Sequence, residues 1–177
     1  MILPDCAIRA DGLVSPLLER VEGPDIYSYG LGPAGYDCTL ADEFRAPGCT
    51  TSFQSGRGVT LSGGHSLLCR TQEVVQIPED CCGHVWPKSS YSRQGLILIT
   101  SPLEPGWRGT ITLEVVNVVN TPVKLRVGQG ICQVQWTMLS SPCEKPYRGR
   151  YQDQTSIRGA YQVEPRWDDL ADVDEAA

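Results

Sequence analysis

The segment Thr110-Ile-Thr-Leu-Glu-Val-Val-Asn117 alternates its apolar residues over most of its length. Side chains of a β-strand point alternately to its two faces, so Ile111, Leu113 and Val115 share one face and Glu114 lies on the other. A carboxylate among apolar neighbours is costly to desolvate, and burial raises the pKa of a carboxyl group toward the range useful for proton transfer. The pattern predicts a strand. It presents Glu114 either as a proton-transferring group or as a solvent-facing glutamate of an edge strand.

Short β-rich runs separated by Gly and Pro lie on both sides of this segment. They cover residues 36–40, 58–61, 66–77, 95–99, 109–119, 123–127 and 131–136. Many short strands with turn signals between them indicate a β-sandwich or barrel and not alternating strands and helices. Helix should be scarce. Pro4, Asp5 and Gly12 predict one short helix over residues 4–10.

A length of 177 residues suits one well-buried domain, which we expect to span residues 1–163. No run of eighteen apolar residues occurs, and the start Met1-Ile-Leu-Pro-Asp-Cys6 lacks the features of a secretory signal. We therefore expect a cytoplasmic protein, or one of the host cytoplasm if its source is a virus, with no membrane partner. The eight cysteines form no C-x-x-C pair, so we interpret them as reduced and mostly buried thiols.

The formal charge of −6 is unevenly distributed. Residues 164–177 contain six acids and one base, which predicts an acidic, mobile C-terminal tail. Residues 88–150 contain eight Lys or Arg against three acids, and this local excess suits a small anionic ligand such as a phosphate, or is ordinary surface charge. Long basic runs with interleaved aromatics are missing, so we expect no nucleic-acid partner.

Several sequence blocks follow one another in order around Glu114. They are Ala34-Gly-Tyr-Asp-Cys-Thr-Leu-Ala-Asp-Glu-Phe44, Ile77-Pro-Glu-Asp80, Lys88-Ser-Ser-Tyr-Ser-Arg-Gln-Gly95, Leu103-Glu-Pro-Gly-Trp-Arg-Gly109, Thr112-Leu-Glu-Val-Val-Asn117 and Tyr151-Gln-Asp-Gln154. The ordered set resembles the dCTP deaminase family of the dCTP deaminase/dUTPase superfamily. This resemblance implies a mainly β fold, a dUTPase-like β-sandwich or distorted β-barrel with few short helices, assembled as a homotrimer with sites at subunit interfaces.

The same resemblance implies hydrolytic deamination of dCTP to dUTP and ammonia, with Glu114 as the proton shuttle and with Ser89 and Arg93 supporting the attacking water. Water must lose a proton as it attacks C4 of cytosine, while N3 and the departing amine gain protons, so one carboxyl group serves as base and acid. The zinc-deaminase signature, H-x-E with P-C-x-x-C, is missing. We expect no zinc, and we interpret Cys81-Cys-Gly-His84 as core or wall residues.

A further set of residues is assigned to ligand contacts from the resemblance: Lys88, Ser90, Thr100, Ser101, Glu104, Trp107, Thr112, Leu113, Gln133, Tyr147, Arg150 and Gln154. The residues around positions 88–93 and 147–154 would hold the triphosphate. The strip from Arg93 to Glu104 would form the pyrimidine pocket, and backbone groups of the 110–117 strand would contact the base. Mg²⁺ would arrive as the counterion of the triphosphate, with no protein-held metal. Asp37 is interpreted as structural, and Asp153 stands where relatives carry glycine.

Two other functions stay open at this stage. A dUTPase, or a bifunctional dCTP deaminase and dUTP diphosphatase, would hydrolyse the phosphate chain; the dUTPases carry an aspartate at the position of Glu104. A catalytically inactive, nucleotide-binding regulatory relative is the third possibility. The joint presence of Glu114, Ser89 and Arg93 argues against it, while Asp153 and the acidic tail favour it weakly.

Overall fold

The alternating segment around Glu114 belongs to a strand of ten residues in the computed structural model, which describes residues 1–160. The strands, numbered along the chain, are β1 (Val14–Ser15), β2 (Val21–Gly23), β3 (Ile26–Gly32), β4 (Gly35–Arg45), β5 (Gly58–Leu61), β6 (Ser66–Gln76), β7 (Cys81–Pro87), β8 (Leu96–Ile99), β9 (Arg108–Asn117), β10 (Val123–Arg126) and β11 (Gly130–Met138). The helices are α1 (Asp5–Ala10) and α2 (Ser89–Ser92). The predicted boundary after residue 163 and the acidic tail lie outside the described residues.

Most strands join one antiparallel sheet, in the order β2-β3-β4-β6-β9-β8. β1 also pairs with β6, and β11 pairs with β4 and β7, whereas β5 and β10 form a separate two-stranded sheet. Within residues 1–160, β2, β7 and β8 each have a single strand partner, so the main sheet keeps open edges and does not close into a barrel. The prediction of a mainly β fold with few short helices is confirmed.

One apolar core joins both sheets. It includes Leu113 of β9, Leu125 of β10 and Trp136 of β11, all fully buried. Nε1 of Trp136 donates a hydrogen bond to the backbone oxygen of Gln76 at 2.8 Å, which satisfies the polar atom of this large side chain. All eight cysteines are free thiols and four are buried, so burial extends to half of them, fewer than predicted.

The strands expected from the sequence are all present with shifted ends, and the short N-terminal helix is confirmed as α1. Gly12 follows this helix with a φ of 61°, a conformation in which glycine ends a helix without strain. The sequence pattern does not predict β1, β2, β3 or β7: β1 and β2 are only two and three residues long, and glycines interrupt β3 and β7. α2 lies where a loop is expected. Among residues 1–160, no helix is long and apolar enough to cross a membrane.

A carboxyl group is buried inside the main sheet at Glu73 of β6, where strand alternation turns the side chain inward. It is 1% exposed. Its oxygens accept hydrogen bonds from the backbone nitrogen and Oγ1 of Thr39, at 2.9 and 2.8 Å. Burial raises the pKa of the Glu73 carboxyl group above its ordinary value. The folded chain therefore favours the protonated form more than the unfolded chain does.

We expect the free energy of unfolding to fall as the pH rises from the pKa of Glu73 in the unfolded chain to its higher pKa in the folded chain. In the unfolded chain Glu73 loses its proton near the ordinary pKa of 4.5, whereas in the folded chain it keeps the proton up to the raised pKa. The loss is about 1.4 kcal/mol for each unit of pKa difference. Glu73→Gln should remove this dependence, since an amide can still bond Thr39.

Urea unfolding of the wild type and Glu73→Gln between about pH 4 and pH 8 measures the effect. The exposed Glu144, replaced by Gln, serves as the control. Parallel pH curves for the wild type and Glu73→Gln would contradict the assignment.

Candidate active site

Glu114 lines a cleft with a volume of about 570 Å³. In the β9 ladder it stands opposite Leu68 of β6 and Ile99 of β8, so apolar side chains flank it on both sides. Thr112 faces the same cleft, whereas Leu113 is fully buried on the other face. The predicted alternation of this strand is confirmed. The Glu114 carboxylate is half-buried between apolar walls.

A tight turn at Glu104-Pro-Gly-Trp107 forms one wall of the cleft. The backbone nitrogen of Trp107 donates to the backbone oxygen of Glu104 at 3.0 Å and closes the turn. Gly106 has a φ of 83°, and a Cβ at this position would lie 2.8 Å from Cβ of Pro146. Glycine is therefore required by the backbone conformation and by the close approach of the C-terminal segment.

The strip before this turn contains Thr100 and Ser101, and both side chains line the cleft. Oγ1 of Thr100 donates its proton to the backbone oxygen of Val85 at 3.3 Å. The hydroxyl can therefore act toward a ligand only as a hydrogen-bond acceptor. Leu103 and Gly83 exchange two backbone hydrogen bonds, at 2.8 and 2.9 Å. The strip is thus held against β7.

The segment after residue 146 closes the cleft beside β9. Nε1 of Trp107 donates to the backbone oxygen of Tyr151 at 3.0 Å. Thr110 and Gln154 are joined by two hydrogen bonds of 2.8 Å, one from the Thr110 backbone nitrogen and one from Nε2 of Gln154. Oε1 of Gln154 is buried and has no hydrogen-bond partner among residues 1–160.

Eight predicted site residues meet at this cleft: Thr100, Ser101, Glu104, Trp107, Thr112, Glu114, Tyr147 and Gln154. The cleft also includes Leu68, Ile99, Tyr151 and Arg158, which the sequence pattern does not single out. Leu68 and Ile99 face the cleft because of strand register, a long-range property. Tyr151 belongs to the block Tyr151-Gln-Asp-Gln154, and Arg158 follows Gln154 by four residues. The sequence could have indicated these two residues by their proximity to Gln154 and, for Arg158, by its charge.

A second group of predicted residues lies around α2 and does not line the cleft. Ser89 and Arg93 are exposed at the two ends of this helix, and Ser90 is half-buried. Tyr91 anchors the helix to the core, because its buried ring packs edge-on against Tyr27 with centroids 4.6 Å apart. The packing of Tyr91 fixes the position of α2, while Ser89 and Arg93 remain exposed.

Lys88 precedes α2 and is buried. Its Nζ donates to Oδ2 of Asp37 at 2.5 Å and to Oγ of Ser28 at 2.9 Å. Arg20 forms a second ion pair with Asp37 and donates to Oγ of Ser28 at 2.8 Å. Asp37 is 3% exposed, so two cations share one buried carboxylate. This geometry supports a structural role for Asp37 and gives Lys88 a partner within its own chain.

The remaining assigned residues lie elsewhere. Because the Leu113 side chain is in the core, only its backbone is available to a ligand. Gln133 of β11 lines a separate depression together with Arg20. Arg150 is exposed and is not part of the cleft wall.

Asp153 adopts a left-handed backbone conformation, with a φ of 54°, which aspartate tolerates better than most residues. Its Oδ1 lies 2.9 Å from Nη1 of Arg108, and both side chains are exposed. The negative charge is therefore paired at the surface and does not line the cleft.

A family model described as dCTP deaminase-like matches residues 18–139. The chain belongs to the dCTP deaminase-like family. Among similar proteins, the dCTP deaminase of Gluconobacter oxydans is 33% identical over 176 residues, which cover 88% of this chain and 96% of the relative. The dCTP deaminase of Thermococcus kodakarensis is 34% identical over 152 residues, which cover 86% of this chain and 92% of the relative.

Solved structures show the same fold. The 2'-deoxycytidine 5'-triphosphate deaminase from Agrobacterium tumefaciens matches with a TM-score of 0.59 and 21% identity over 77% of this chain, and the match spans 48% of that longer chain. The EIAV dUTPase matches with a TM-score of 0.50 and 20% identity, over 76% of this chain and 95% of its own. The dCTP deaminase-like chain thus shares its β fold with a dUTPase.

The segment Cys81-Cys-Gly-His84 is part of β7 in this family member. Cys81 is buried, whereas Cys82 and His84 project to the other face of the strand. Among residues 1–160, no three His, Cys, Asp or Glu side chains are grouped so that they would hold a metal ion. We therefore assign no protein ligand set to a metal.

We expect Asp37→Asn to destabilise this dCTP deaminase-like chain by about 3–5 kcal/mol, because it leaves Lys88 buried without its counter-charge. Glu19→Gln is the matched control, since the Glu19–Arg9 pair is exposed and screened by solvent and contributes little to stability. Denaturant unfolding measures both changes. A cost for Asp37→Asn no larger than that of Glu19→Gln would show that the buried cluster is not a stabilising element.

Proposed function

We propose that the chain catalyses hydrolytic deamination of dCTP to dUTP and ammonia, with Glu114 as the proton shuttle. The observation that carries the proposal is the placement of Glu114, a half-buried carboxylate that lines the cleft between Leu68 and Ile99. Membership of the dCTP deaminase-like family and the names of the similar proteins support dCTP as the substrate.

The chemistry requires one group that both accepts and returns a proton. As water attacks C4 of the cytosine, Glu114 accepts one proton from the water and passes it to N3 of the ring. Glu114 then takes the remaining proton of the new hydroxyl group and donates it to the exocyclic amine, so that C4=O forms, the C4–N bond breaks and ammonia leaves. The apolar side chains of Leu68 and Ile99 limit water around the carboxylate, while Thr112 offers a polar contact to the nucleotide.

A triphosphate requires more positive charge than the cleft of one chain provides. Glu104 and Glu114 are the acidic residues that line the cleft, and Arg158 is the only lysine or arginine among the described residues that line it. Ser89 and Arg93 are accessible on α2 but lie outside their own chain's cleft. In the proposed homotrimer, a neighbouring copy brings these two side chains to the reacting water and the phosphates.

Mg²⁺ accompanies the triphosphate as its counterion and takes no part in the proton transfers of the deamination. The small-molecule partners are dCTP and dUTP, and the proposed reaction takes place in the cytoplasm. It involves neither a nucleic acid nor a membrane.

A second candidate function is hydrolysis of the phosphate chain, by a dUTPase or a bifunctional enzyme. The observation that favours it is that Glu104 lines the cleft, so a second carboxylate is available to a water molecule. A catalytically inactive regulatory relative is a weaker candidate, since the presence of Glu114, Ser89 and Arg93 argues for retained activity.

The products formed from dCTP separate these functions. We expect the wild type to release ammonia without pyrophosphate, and Glu114→Gln to abolish ammonia release because an amide cannot accept the proton. The variant should still bind dCTP within about tenfold, or about 1.4 kcal/mol. Ammonia release and calorimetric binding measure the two effects, with Glu144→Gln as the control. Pyrophosphate without ammonia, or near-normal turnover by Glu114→Gln, would overturn the proposal.

Subunit complementation tests the shared site. Glu114→Gln and Arg93→Gln should each be inactive, but unfolding and refolding them together in equal amounts should restore about a quarter of the sites, because some pairs of neighbours combine an intact Glu114 with an intact Arg93. Arg93→Gln mixed with Ser89→Ala is the control, since both changes affect the same element and no pair becomes complete. No recovery in the first mixture would contradict a site shared between copies.

A further inference from the structure

The segment Gln152–Ala160 crosses the edge of the main sheet and reaches the cleft. Its first anchor is Gln154, which is hydrogen-bonded to Thr110 of β9. Its second anchor is Ile157, which is 2% exposed. The second anchor lies closer to the end of the described chain, so the placement of residues 158–160 depends on it.

Glu43 of β4 holds this second anchor. Its Oε1 accepts a hydrogen bond from the backbone nitrogen of Ile157 at 3.1 Å, and its Oε2 accepts one from Nε of Arg70 at 2.5 Å. Burial raises the pKa of the Glu43 carboxyl group, but the hydrogen bonds from Arg70 and Ile157 outweigh this effect and the pKa is lowered overall. The group is therefore a carboxylate at neutral pH, with each oxygen bound to a different element of the fold.

A register shift in β4 explains why Glu43 reaches the segment. The pairing of β4 with β6 shifts between Leu40 and Phe44, so the residues between them leave the regular ladder. Asp42 then accepts hydrogen bonds from the backbone nitrogens of Ser55 and Gly56, at 2.8 and 2.9 Å, while Glu43 turns to Ile157. Two adjacent carboxylates thus serve two different segments, which makes Asp42 a matched control for Glu43.

The residue after the second anchor is Arg158, whose side chain lines the cleft. It forms no ion pair with any residue in the range 1–160. The planar guanidinium is permanently charged and presents a fork of donors that matches phosphate oxygens. A nucleotide triphosphate supplies such oxygens.

We propose that Glu43 is a positioning residue, which holds the Ile157 amide and thereby directs Arg158 to the phosphate chain of the bound nucleotide. The identity of the ligand in this inference rests on the proposed function. The link between Glu43 and the C-terminal segment rests on the hydrogen bond to Ile157 alone. Glu43 itself is not among the residues that line the cleft.

Hydrogen exchange in the nucleotide-free protein tests the link without reference to activity. Glu43→Ala should accelerate exchange of the amides in residues 154–160 at least about fivefold, because the Ile157 amide loses its acceptor. Asp42→Ala should leave these amides unchanged and accelerate exchange around Ser55 and Gly56. Glu43→Gln, which keeps one acceptor oxygen, provides the milder change if Glu43→Ala fails to fold. Unchanged protection of residues 154–160 in the folded Glu43 variant would overturn the proposal.

Nucleotide binding to variants that also carry Glu114→Gln tests whether Arg158 contacts the phosphate chain. We expect Arg158→Gln to weaken dCTP binding about tenfold while dCMP binding stays within about twofold, because the lost contact is to the outer phosphates. Glu43→Ala should weaken dCTP binding to a similar extent. The double variant should be no weaker than either single variant, since both changes remove the same contact. A merely structural Glu43 would give additive losses.

Equal losses for dCTP and dCMP, or none for either, would overturn the assignment of Arg158 to the phosphates. Additive losses in the double variant would overturn the positioning role of Glu43. The two proposals fail separately: a wild type that binds dCTP but releases no ammonia contradicts the deaminase function and leaves the exchange and binding comparisons intact.

Discussion

The hydrogen-bonded ladder that holds β9 between β6 and β8 determines both the core and the cleft. The same backbone that buries Leu113 and Val115 sets Glu114 opposite Leu68 and Ile99. A slip of one residue would exchange the two faces, placing the glutamate in the core and Leu113 in the cleft. The desolvation cost of a carboxylate in the core opposes this slip. One constraint thus secures both the packing of the domain and the position of its reactive group.

Buried and accessible charges serve different purposes in this fold. Asp37, shared by Lys88 and Arg20, joins the start of α2 to the strands behind it, so the accessible Ser89 and Arg93 are carried on a fixed base. An ion pair in this position constrains geometry, because neither partner is well solvated if the other is lost. Arg93, the accessible cation of α2, is the one that the proposed assembly uses.

Local features of the fold follow from the sequence, and long-range ones do not. The alternation of residues 110–117 predicts the inward Leu113 and the outward Glu114, and proline, aspartate and glycine predict α1. The partner of Lys88 is 51 residues away in the chain, and no local pattern predicts that its charge is bound within the domain. Leu68 faces the cleft because of its register with β9. β7 is missed because Gly83 interrupts the run and the residues before it, Cys81 and Cys82, are not β-branched.

Among residues 1–160 the last strand ends at Met138, yet Tyr147, Gln154 and Arg158 all form walls of the cleft. The part of the chain that makes the sheets and the part that completes the ligand site are therefore consecutive and largely separate. Natural variation after residue 138 alters substrate handling without changing the pairing of β1 to β11, as long as Gln154 keeps its hydrogen bonds to Thr110 and Ile157 stays buried. Solubility and thermal stability would then report on the sheets and say little about catalytic competence. Among members of this family, the greatest diversity of function is expected where the secondary structure is sparsest.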